Sequence, residues 1–199
     1  MARCKQKRKM AVDQVPVLIA VTGASGTIYS KAFLEILHHL EVKTELIISS
    51  AGQKVAALEL GSRGFDGMKA LAQHVYNPDN IAAKPASGSA RYHAMIVLPC
   101  TMGTLAAIAN GISTNLIHRA ADCSLKERRQ LVLVIRETPF NRTHVKNMLA
   151  AQEAGAVIYP AMPSFYHKPK SLDEMAYFFA GRLAEFLGFS VPDLKRWQG

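Results

Sequence analysis

The sequence has few cysteines and no pattern that would join them. The three cysteines, Cys4, Cys100 and Cys123, are odd in number and widely spaced, which argues against a set of disulfides and against a CxxC metal or redox motif. The seven histidines are equally scattered, so we expect no metal site. No apolar run approaches the ~20 residues that a membrane span requires. We therefore expect a cytoplasmic protein with no membrane partner.

Acidic residues are also scarce, with 15 Asp and Glu against 24 Lys and Arg and a formal net charge of +9. Several of the basic residues lie within the first ten positions, so we interpret residues 1–14 as a disordered basic tail and residues 15–199 as a single domain. Asp13 and Pro16 interrupt the following apolar stretch, unlike a secretory signal. Basic and aromatic residues do not interleave, which argues against nucleic acid and favours a small anionic ligand.

Short apolar runs rich in β-branched residues alternate with longer stretches of helical period. This pattern predicts an α/β fold, a Rossmann-like doubly wound parallel sheet with helices on both faces, in one three-layer domain. The predicted strands are Val17–Thr22, Glu45–Ser49, Ala94–Pro99, Leu131–Arg136 and Ala156–Tyr159. Helices are predicted over 27–40, 51–60, 102–111, 114–128, 142–154 and 172–187. Glycines and prolines interrupt residues 61–90, where we expect connecting structure with one short helix.

The last predicted helix has consistent local signals. Ser171 and Glu174 have the spacing of a capping box, in which each side chain satisfies a backbone N–H of the other residue. The apolar residues of this segment trace one face of a helix: Leu172, Met175, Ala176, Phe179, Leu183 and Phe186.

Ligands of a doubly wound sheet bind beyond the carboxyl ends of its strands. The first predicted strand leads into Gly23-Ala-Ser-Gly26, whose small residues let a phosphate approach the backbone N–H groups at the start of the next helix. Thr27 and Ile28 follow in place of the third glycine of the dinucleotide fingerprint, which favours a mononucleotide over NAD. A tight turn without a ligand is the alternative interpretation of this segment.

Other strand ends carry polar side chains. Ser49 follows the second strand, and Thr101 and Thr104 open the helix after the third, although hydroxyls at helix starts are also ordinary N-caps. The next strand ends in Arg136-Glu137, and a charged pair at this edge has a weaker structural explanation than one on a helix surface. We interpret Cys100 as a buried apolar residue, because no His or Lys lies beside it in sequence.

Two further segments have plain structural interpretations. The charged stretch from Arg119 to Arg129 is typical of a solvated helix face with pairs such as Asp122 with Lys126. The proline-bounded loop from Met162 to Pro169 can be a connection, although loops at this edge often bind ligands.

Six segments together resemble the UbiX family of flavin prenyltransferases. They are Thr22-Gly-Ala-Ser-Gly-Thr-Ile-Tyr29, Pro99-Cys-Thr-Met-Gly-Thr104, Arg119-Ala-Ala-Asp122, Leu125-Lys-Glu-Arg-Arg129, Arg136-Glu-Thr-Pro139 and Phe165-Tyr-His-Lys-Pro169. The resemblance implies a homo-oligomer, commonly a dodecamer, in which FMN and dimethylallyl phosphate meet between subunits. It implies transfer of the dimethylallyl group to N5 and C6 of reduced FMN, and delivery of prenylated FMN to a UbiD-type decarboxylase.

The same resemblance implies roles for individual residues. FMN contacts fall on Gly23, Ala24, Ser25, Ser49, Thr101, Met102, Gly103, Thr104 and Arg136. Prenyl-phosphate contacts fall on Lys126, Tyr166 and Arg182, with Glu137 as the proton-transfer residue. Arg119 and Trp197 match positions near the family's pocket. Many relatives have Ser at position 101 and Lys at position 103, so Gly103 removes a cation that they place near the flavin.

The residue types suit this chemistry. The cations of Lys126 and Arg182 and the Tyr166 hydroxyl can stabilise the charge that develops on a leaving phosphate. The sequence lacks the aspartate-rich DDxxD motif with which diphosphate-using prenyltransferases hold magnesium, which favours a monophosphate donor and metal-free chemistry. Glu137 can accept the proton that leaves flavin C6 on ring closure.

Two other functions fit part of the pattern. A flavin-dependent cysteine decarboxylase shares this fold, but it uses a His before the fourth strand and a PxMNxxM segment, where this chain has Ala86-Ser-Gly-Ser89 and Arg136-Glu-Thr-Pro-Phe-Asn141. A non-catalytic FMN carrier would have no use for three phosphate-binding side chains. Subunit contacts are expected from Phe178, Phe189 and Trp197.

Overall fold

The computed structural model describes residues 15–192 and Leu194, so the predicted basic tail and Trp197 lie outside the described residues. The strands are β1 (Val17–Val21), β2 (Thr44–Ile48), β3 (His74–Tyr76), β4 (Ala94–Cys100), β5 (Gln130–Ile135) and β6 (Val157–Pro160). The helices are α1 (Thr27–His39), α2 (Ser50–Ala70), α3 (Met102–Ala109), α4 (Leu116–Lys126), α5 (Arg142–Glu153) and α6 (Leu172–Phe186), with a short 3-10 helix at Lys84–Ala86.

All neighbouring strands pair in parallel, in the order β3-β2-β1-β4-β5-β6. The predicted doubly wound sheet is therefore confirmed. The strands β2 and β3 are added on one side of β1, and the strands β4, β5 and β6 are added on its other side. The switch point, where a ligand can enter between diverging loops, lies at the carboxyl ends of β1 and β4.

The two faces of the sheet explain why the strands are continuous apolar runs. Val17, Ile19 and Val21 pack on the side of α1 and α6. Leu18 and Ala20 pack on the opposite side with α3 and α4. Since strands of such a sheet are buried on both faces, an alternating polar pattern is absent from them. No helix of the described residues is long and apolar enough to cross a membrane.

The region between residues 61 and 90 differs from the prediction. α2 continues to Ala70 across a break at Gly61, whose φ of 67° and ψ of 167° are not helical. It buries few residues, so its sequence carries no clear apolar stripe. β3 is a three-residue edge strand with largely exposed side chains. Such a short and exposed strand leaves almost no hydrophobic signal.

The start of α6 corrects the predicted capping box. Ser171 Oγ does accept a hydrogen bond from the backbone N–H of Glu174, at 3.1 Å. The Glu174 carboxylate, however, accepts from the backbone N–H of Lys170, at 2.6 Å, so only half of the motif forms as predicted. The predicted apolar face is also wrong at its two ends, because Leu172 and Phe186 are largely exposed.

Phe178 does not serve the expected subunit contact, because it is buried within its own chain. Its ring stacks on that of His167, with 4.4 Å between the ring centroids. Phe189 is partly buried and its ring lies 5.1 Å from that of His93. Phe178 and Phe189 therefore contribute to the intramolecular core.

A buried charged cluster lies near the amino ends of the strands. The carboxylate of Glu45, on β2, accepts hydrogen bonds from the hydroxyls of Tyr92, at 2.6 Å, and Tyr76, at 2.8 Å. Lys84 Nζ lies 2.6 Å from the same carboxylate. Burial by itself would raise the pKa of Glu45, but the three donors outweigh it and hold the pKa below its usual range. Burial and the Glu45 hydrogen bond raise the pKa of Tyr76 to about 12.

We expect Glu45→Gln to lower the free energy of unfolding by roughly 1–3 kcal/mol, because buried donors lose a charged acceptor. The folded pKa of Glu45 is depressed, so its stabilisation is complete above the unfolded value of about 4.3 and is lost as the pH falls through the folded value. Urea denaturation at pH 7 and pH 3 measures this change in the free energy of unfolding, with Glu153→Gln at an exposed helix end as the control. A destabilisation that is equal at both pH values would contradict the assignment to the ionised carboxylate.

Candidate functional site

Thr22, directly after β1, connects the two loops that flank the switch point through hydrogen bonds. Its hydroxyl donates to the carbonyl oxygen of Pro99, at 2.7 Å, and accepts from the backbone N–H of Thr101, at 2.9 Å. The Ser30 hydroxyl, on α1, donates to the carbonyl oxygen of Leu98, at 2.7 Å. These buried hydrogen bonds hold the start of α3 in a defined position beside the turn after β1.

Two glycines allow the first turn of α2 to approach β1 closely. A Cβ atom at Gly23 would lie 2.6 Å from the Cβ of Ala51, and one at Gly52 would lie 2.6 Å from the carbonyl oxygen of Val21. Neither contact is sterically acceptable, so only glycine fits at these positions. Gly52 was not singled out in the sequence, because a glycine in the first turn of a helix has no distinctive pattern around it.

The hydroxyls predicted at the helix starts are N-caps. Ser49 Oγ accepts from the backbone N–H of Gly52, at 3.0 Å, and Thr101 Oγ1 accepts from that of Thr104, at 3.2 Å. The Thr101 hydroxyl in turn donates to Thr104 Oγ1, at 3.0 Å. A hydroxyl that accepts one hydrogen bond, as that of Ser49 does, still has its own hydrogen to donate. The capping interpretation is confirmed and is compatible with ligand binding. A Cβ at Gly103, on the exposed side of this first turn, would meet open space.

Glu59, on α2, is a site residue that the sequence did not indicate. Its carboxylate accepts hydrogen bonds from the backbone N–H groups of Gly26, at 3.0 Å, and Thr27, at 2.8 Å, and from the Thr27 hydroxyl, at 2.7 Å. Burial opposes ionisation, but hydrogen bonds from Ser25, Thr27 and Gly26 outweigh it, and the pKa of Glu59 lies below its usual range.

This contact corrects the expectation that a phosphate meets the N–H groups at the start of α1. Glu59 engages the N–H groups of Gly26 and Thr27, so those two donors are already occupied. One signal could have revealed the carboxylate. α1 has neither a capping side chain nor an acidic residue in its first turn, although helix N-termini favour negative charge.

Arg136 and Glu137 follow β5 and lie at the same edge as the turn after β1. Burial raises the pKa of Tyr29, on α1, and the positive charge of Arg136 partly opposes that rise. Glu137 Oε1 accepts a hydrogen bond from the backbone N–H of Thr138, at 3.0 Å. Both side chains are exposed. A cation and a carboxylate are thus available beside the switch point.

Cys100 is not a nucleophile. It is fully buried at the end of β4, and burial raises the pKa of its thiol to about 12. The thiol therefore stays protonated at neutral pH. The interpretation as a buried apolar residue is confirmed.

Lys126 lies at the opposite end of the sheet from Arg136. It ends α4 shortly before β5 begins at Gln130, and its Nζ is 2.5 Å from Glu127 Oε1. The six residues of β5 span about 20 Å. A single chain therefore does not bring Lys126 to the switch point.

The predicted ion pair between Asp122 and Lys126 is wrong. Asp122 instead accepts a hydrogen bond from Arg119, at 2.6 Å, one turn earlier on α4. Arg119 Nε also donates to the carbonyl oxygen of Ala86, at 3.3 Å. Its guanidinium thus joins α4 to the loop before β4.

Tyr166 and Arg182 lie on consecutive parts of the chain. Tyr166 is in the loop after β6, partly exposed, with its ring 3.9 Å from that of the buried His167. Arg182 lies on α6, roughly 15 Å along the helix from its start. Burial raises the pKa of Tyr159, on β6, and the charge of Arg182 partly opposes it, so the guanidinium lies near this hydroxyl.

An all-parallel sheet in the order 3-2-1-4-5-6, with a small-residue turn at its switch point, is the architecture of Rossmann-like nucleotide-binding proteins. The family model described as Flavoprotein matches residues 5–176. The chain is 43% identical over 183 residues to the flavin prenyltransferase UbiX of Methanothermobacter thermautotrophicus, covering 92% of this chain and 95% of that one. The chain belongs to the UbiX family of flavin prenyltransferases, and the resemblance seen in the sequence is confirmed.

Solved structures give the same result. AnUbiX, crystallised in complex with FMN and dimethylallyl pyrophosphate, is 40% identical, with a TM-score of 0.89 over 93% of this chain and 98% of that one. A dodecameric FMN-dependent UbiX-like decarboxylase from Escherichia coli O157:H7 is 38% identical, with a TM-score of 0.88 over 93% of this chain and all of that one.

Proposed function

We propose that this protein joins the dimethylallyl group of dimethylallyl phosphate to N5 and C6 of reduced FMN. The observation that carries the proposal is the switch-point edge, where Thr22 holds the turn after β1 against the start of α3 and where Arg136 and Glu137 follow β5. The chain's similarity to AnUbiX, which was crystallised with FMN and dimethylallyl pyrophosphate, supports it.

FMN would lie along this edge. Its phosphate would contact the backbone of Gly23, Ala24 and Ser25, which precede the N–H groups that Glu59 occupies, and the Ser49 hydroxyl at the start of α2. The first turn of α3, from Thr101 through Met102 and Gly103 to Thr104, would contact the rest of the nucleotide, and Arg136 would provide the charge. The hydrogen-bonded caps make these groups rigid before any ligand binds.

The prenyl phosphate would be held by Lys126, Tyr166 and Arg182. Because the length of β5 separates Lys126 from Arg136 in one chain, we propose that a neighbouring subunit supplies Lys126. A lysine from a neighbouring subunit requires a homo-oligomer, and we propose a dodecamer like that of the Escherichia coli relative. We further propose a UbiD-type decarboxylase as recipient of the product. The buried free thiols of Cys100 and Cys123 are in keeping with a cytoplasmic location.

The side chains have separate tasks in this reaction. Lys126, Arg182 and the Tyr166 hydroxyl stabilise negative charge on the phosphate as the allylic C–O bond breaks and inorganic phosphate leaves. The flavin supplies the nucleophile N5 and the ring carbon C6. Ring closure would add C6 and a proton across the double bond of the dimethylallyl group, while C6 loses its own proton. Glu137 would accept the proton from C6 and can return one to the alkene carbon, and its hydrogen bond from the Thr138 N–H orients the carboxylate.

Anaerobic mixing tests the proposal. Purified protein receives reduced FMN and dimethylallyl phosphate, and the flavin is analysed by mass. A covalent adduct with one dimethylallyl group is expected, and dimethylallyl diphosphate should react more slowly. Unchanged FMN would favour the carrier, and oxidative decarboxylation of a cysteine peptide would favour the cysteine decarboxylase. Light scattering on the same sample should give a mass above that of a dimer.

The turn after β1 should select FMN over FAD, because it accommodates one terminal phosphate and lacks the dinucleotide glycine pattern. Ser25→Asp is expected to weaken FMN binding by roughly 10- to 100-fold, since it places a second carboxylate beside Glu59 and the phosphate and removes a hydrogen bond to a charged group. Fluorescence titration measures the affinity. Ser62→Asp, on the exposed middle of α2, controls for the added charge. Equal affinity for FMN and FAD, or an unaffected Ser25→Asp variant, would contradict this assignment.

A further inference from the structure

Arg182 is held by a shielded carboxylate on its own helix. Its NH1 group donates to Glu185 Oε2, one turn further along α6. The Arg182 side chain is 50% exposed, whereas the Glu185 side chain is only 11% exposed. The pair therefore has a fixed inner member and an accessible outer member, unlike the exposed helix pair Lys31–Glu35, in which both side chains are substantially exposed.

The surroundings keep this arrangement in place. A cavity of about 420 Å³, open to solvent, is bounded by Arg182, Glu185, Gly188, Phe189 and Ser190. Arg182 thus has room on the side of this cavity, and its positive charge partly opposes the rise that burial causes in the pKa of Tyr159. The charge-assisted hydrogen bond to the shielded Glu185 carboxylate favours the Arg182 conformer that makes it.

An arginine can serve two anions at once. Its guanidinium has five N–H donors in a planar fork, and the contact with Glu185 uses NH1. The other donors stay available to a phosphate, and their directions are fixed because the fork is rigid. A lysine bound to the same carboxylate would not have a second set of N–H donors in fixed directions.

We propose that Glu185 is a positioning residue, which orients the Arg182 guanidinium for the phosphate of the prenyl donor. The inference rests on the proposed function, in which Arg182 contacts that phosphate. Glu185 acts through Arg182: it restricts the side chain to one conformer before the substrate binds, so that binding costs less side-chain entropy. It also keeps the charge of Arg182 from being drawn to other carboxylates.

A purely structural role predicts something different. Ion pairs between residues three apart stabilise a helix slightly. Losing such a pair would lower the unfolding temperature and leave the affinity for the prenyl donor unchanged. The donor affinity and its dependence on Arg182 therefore separate the two roles.

The experiment measures the dissociation constant of dimethylallyl phosphate for the FMN-loaded protein by calorimetry, alongside the rate of adduct formation and the unfolding temperature. Glu185→Ala is expected to weaken donor binding by about 10-fold and to leave FMN affinity unchanged. Glu185→Gln, which keeps an oxygen acceptor for NH1, should recover part of that loss. Glu35→Ala, which removes the exposed pair on α1, is the control and should not change donor affinity.

A double variant completes the test. In the Arg182→Ala background, Glu185→Ala should have almost no further effect on donor affinity, because the group through which it acts is gone. Equal losses in both backgrounds, or a lower unfolding temperature with unchanged donor affinity, would overturn the positioning role. If Arg182→Ala weakens donor binding and Glu185→Ala does not, only this inference fails. If the wild type binds the donor without forming an adduct, the proposed function fails, and the affinities still decide the role of Glu185.

Discussion

Arg182→Ala is expected to slow adduct formation by roughly 10²–10³-fold, the usual scale for losing one charge-stabilising donor. FMN affinity should stay nearly unchanged, because the flavin contacts lie at the switch-point edge and Arg182 lies on the outer helix α6. Lys126→Ala should likewise slow adduct formation and leave FMN affinity nearly unchanged. Single-turnover kinetics of the flavin spectrum measures the rate, and Lys43→Ala, at an exposed position before β2, controls for the loss of a cation. A wild-type rate for Arg182→Ala would remove it from the phosphate site.

The combination of these variants tests how the site is assembled. The losses from Lys126→Ala and Arg182→Ala should be less than additive if both cations serve one phosphate. If different subunits supply them, mixed oligomers of the two inactive variants should regain activity. Random assortment restores both cations at about one quarter of the sites. No regain in oligomers shown to be mixed would place both cations in one chain and contradict the proposal that a neighbouring subunit supplies Lys126.

Glu137→Gln should give a different phenotype. The amide keeps the shape and the hydrogen bond from the Thr138 N–H but cannot accept a proton. We expect the bond to N5 to form, ring closure to C6 to stall, and the overall rate to fall by roughly 10²–10⁴-fold, the range for losing a general base. Mass analysis with spectroscopy distinguishes an adduct with a single new bond from untouched FMN.

The matched control for this experiment is Glu35→Gln, which alters a carboxylate on the outer surface of α1. It should leave every step unchanged. If Glu137→Gln neither accumulates the singly linked adduct nor loses rate, another group accepts the proton. Glu59 would then be the next carboxylate to test, since its hydrogen bonds with Gly26 and Thr27 place it beside the turn after β1.

Several elements could be predicted because their signals are local. The five core strands are continuous apolar runs because both of their faces are covered, and the helices between them begin with side-chain caps such as Ser49 and Thr101. β3 could not be predicted, because a short exposed edge strand buries too little to require apolar residues.

Contacts between residues on different helices and strands were harder to predict from the sequence. Glu59 reaches the start of α1 from α2, and Gly52 meets the carbonyl oxygen of Val21, so each contact joins segments that no spacing rule connects. The wrongly predicted pair of Asp122 with Lys126 shows the same limit at short range. Both i,i+3 and i,i+4 neighbours were sterically available to Asp122, and the rotamers in the packed structure favour Arg119.

The amino-acid sequence by itself determined the parallel α/β class, the family and the residue types at each strand end, since these follow from periodicity and from short motifs. Tertiary structure alone decided which of them meet. It joined the turn after β1 to α3 through Thr22, put Glu59 at the start of α1, paired Arg182 with Glu185, and left Lys126 a strand's length from Arg136. The reason is geometric. A motif defines which functional groups follow one another in the sequence, whereas the distances between different motifs depend on how the helices pack on the sheet.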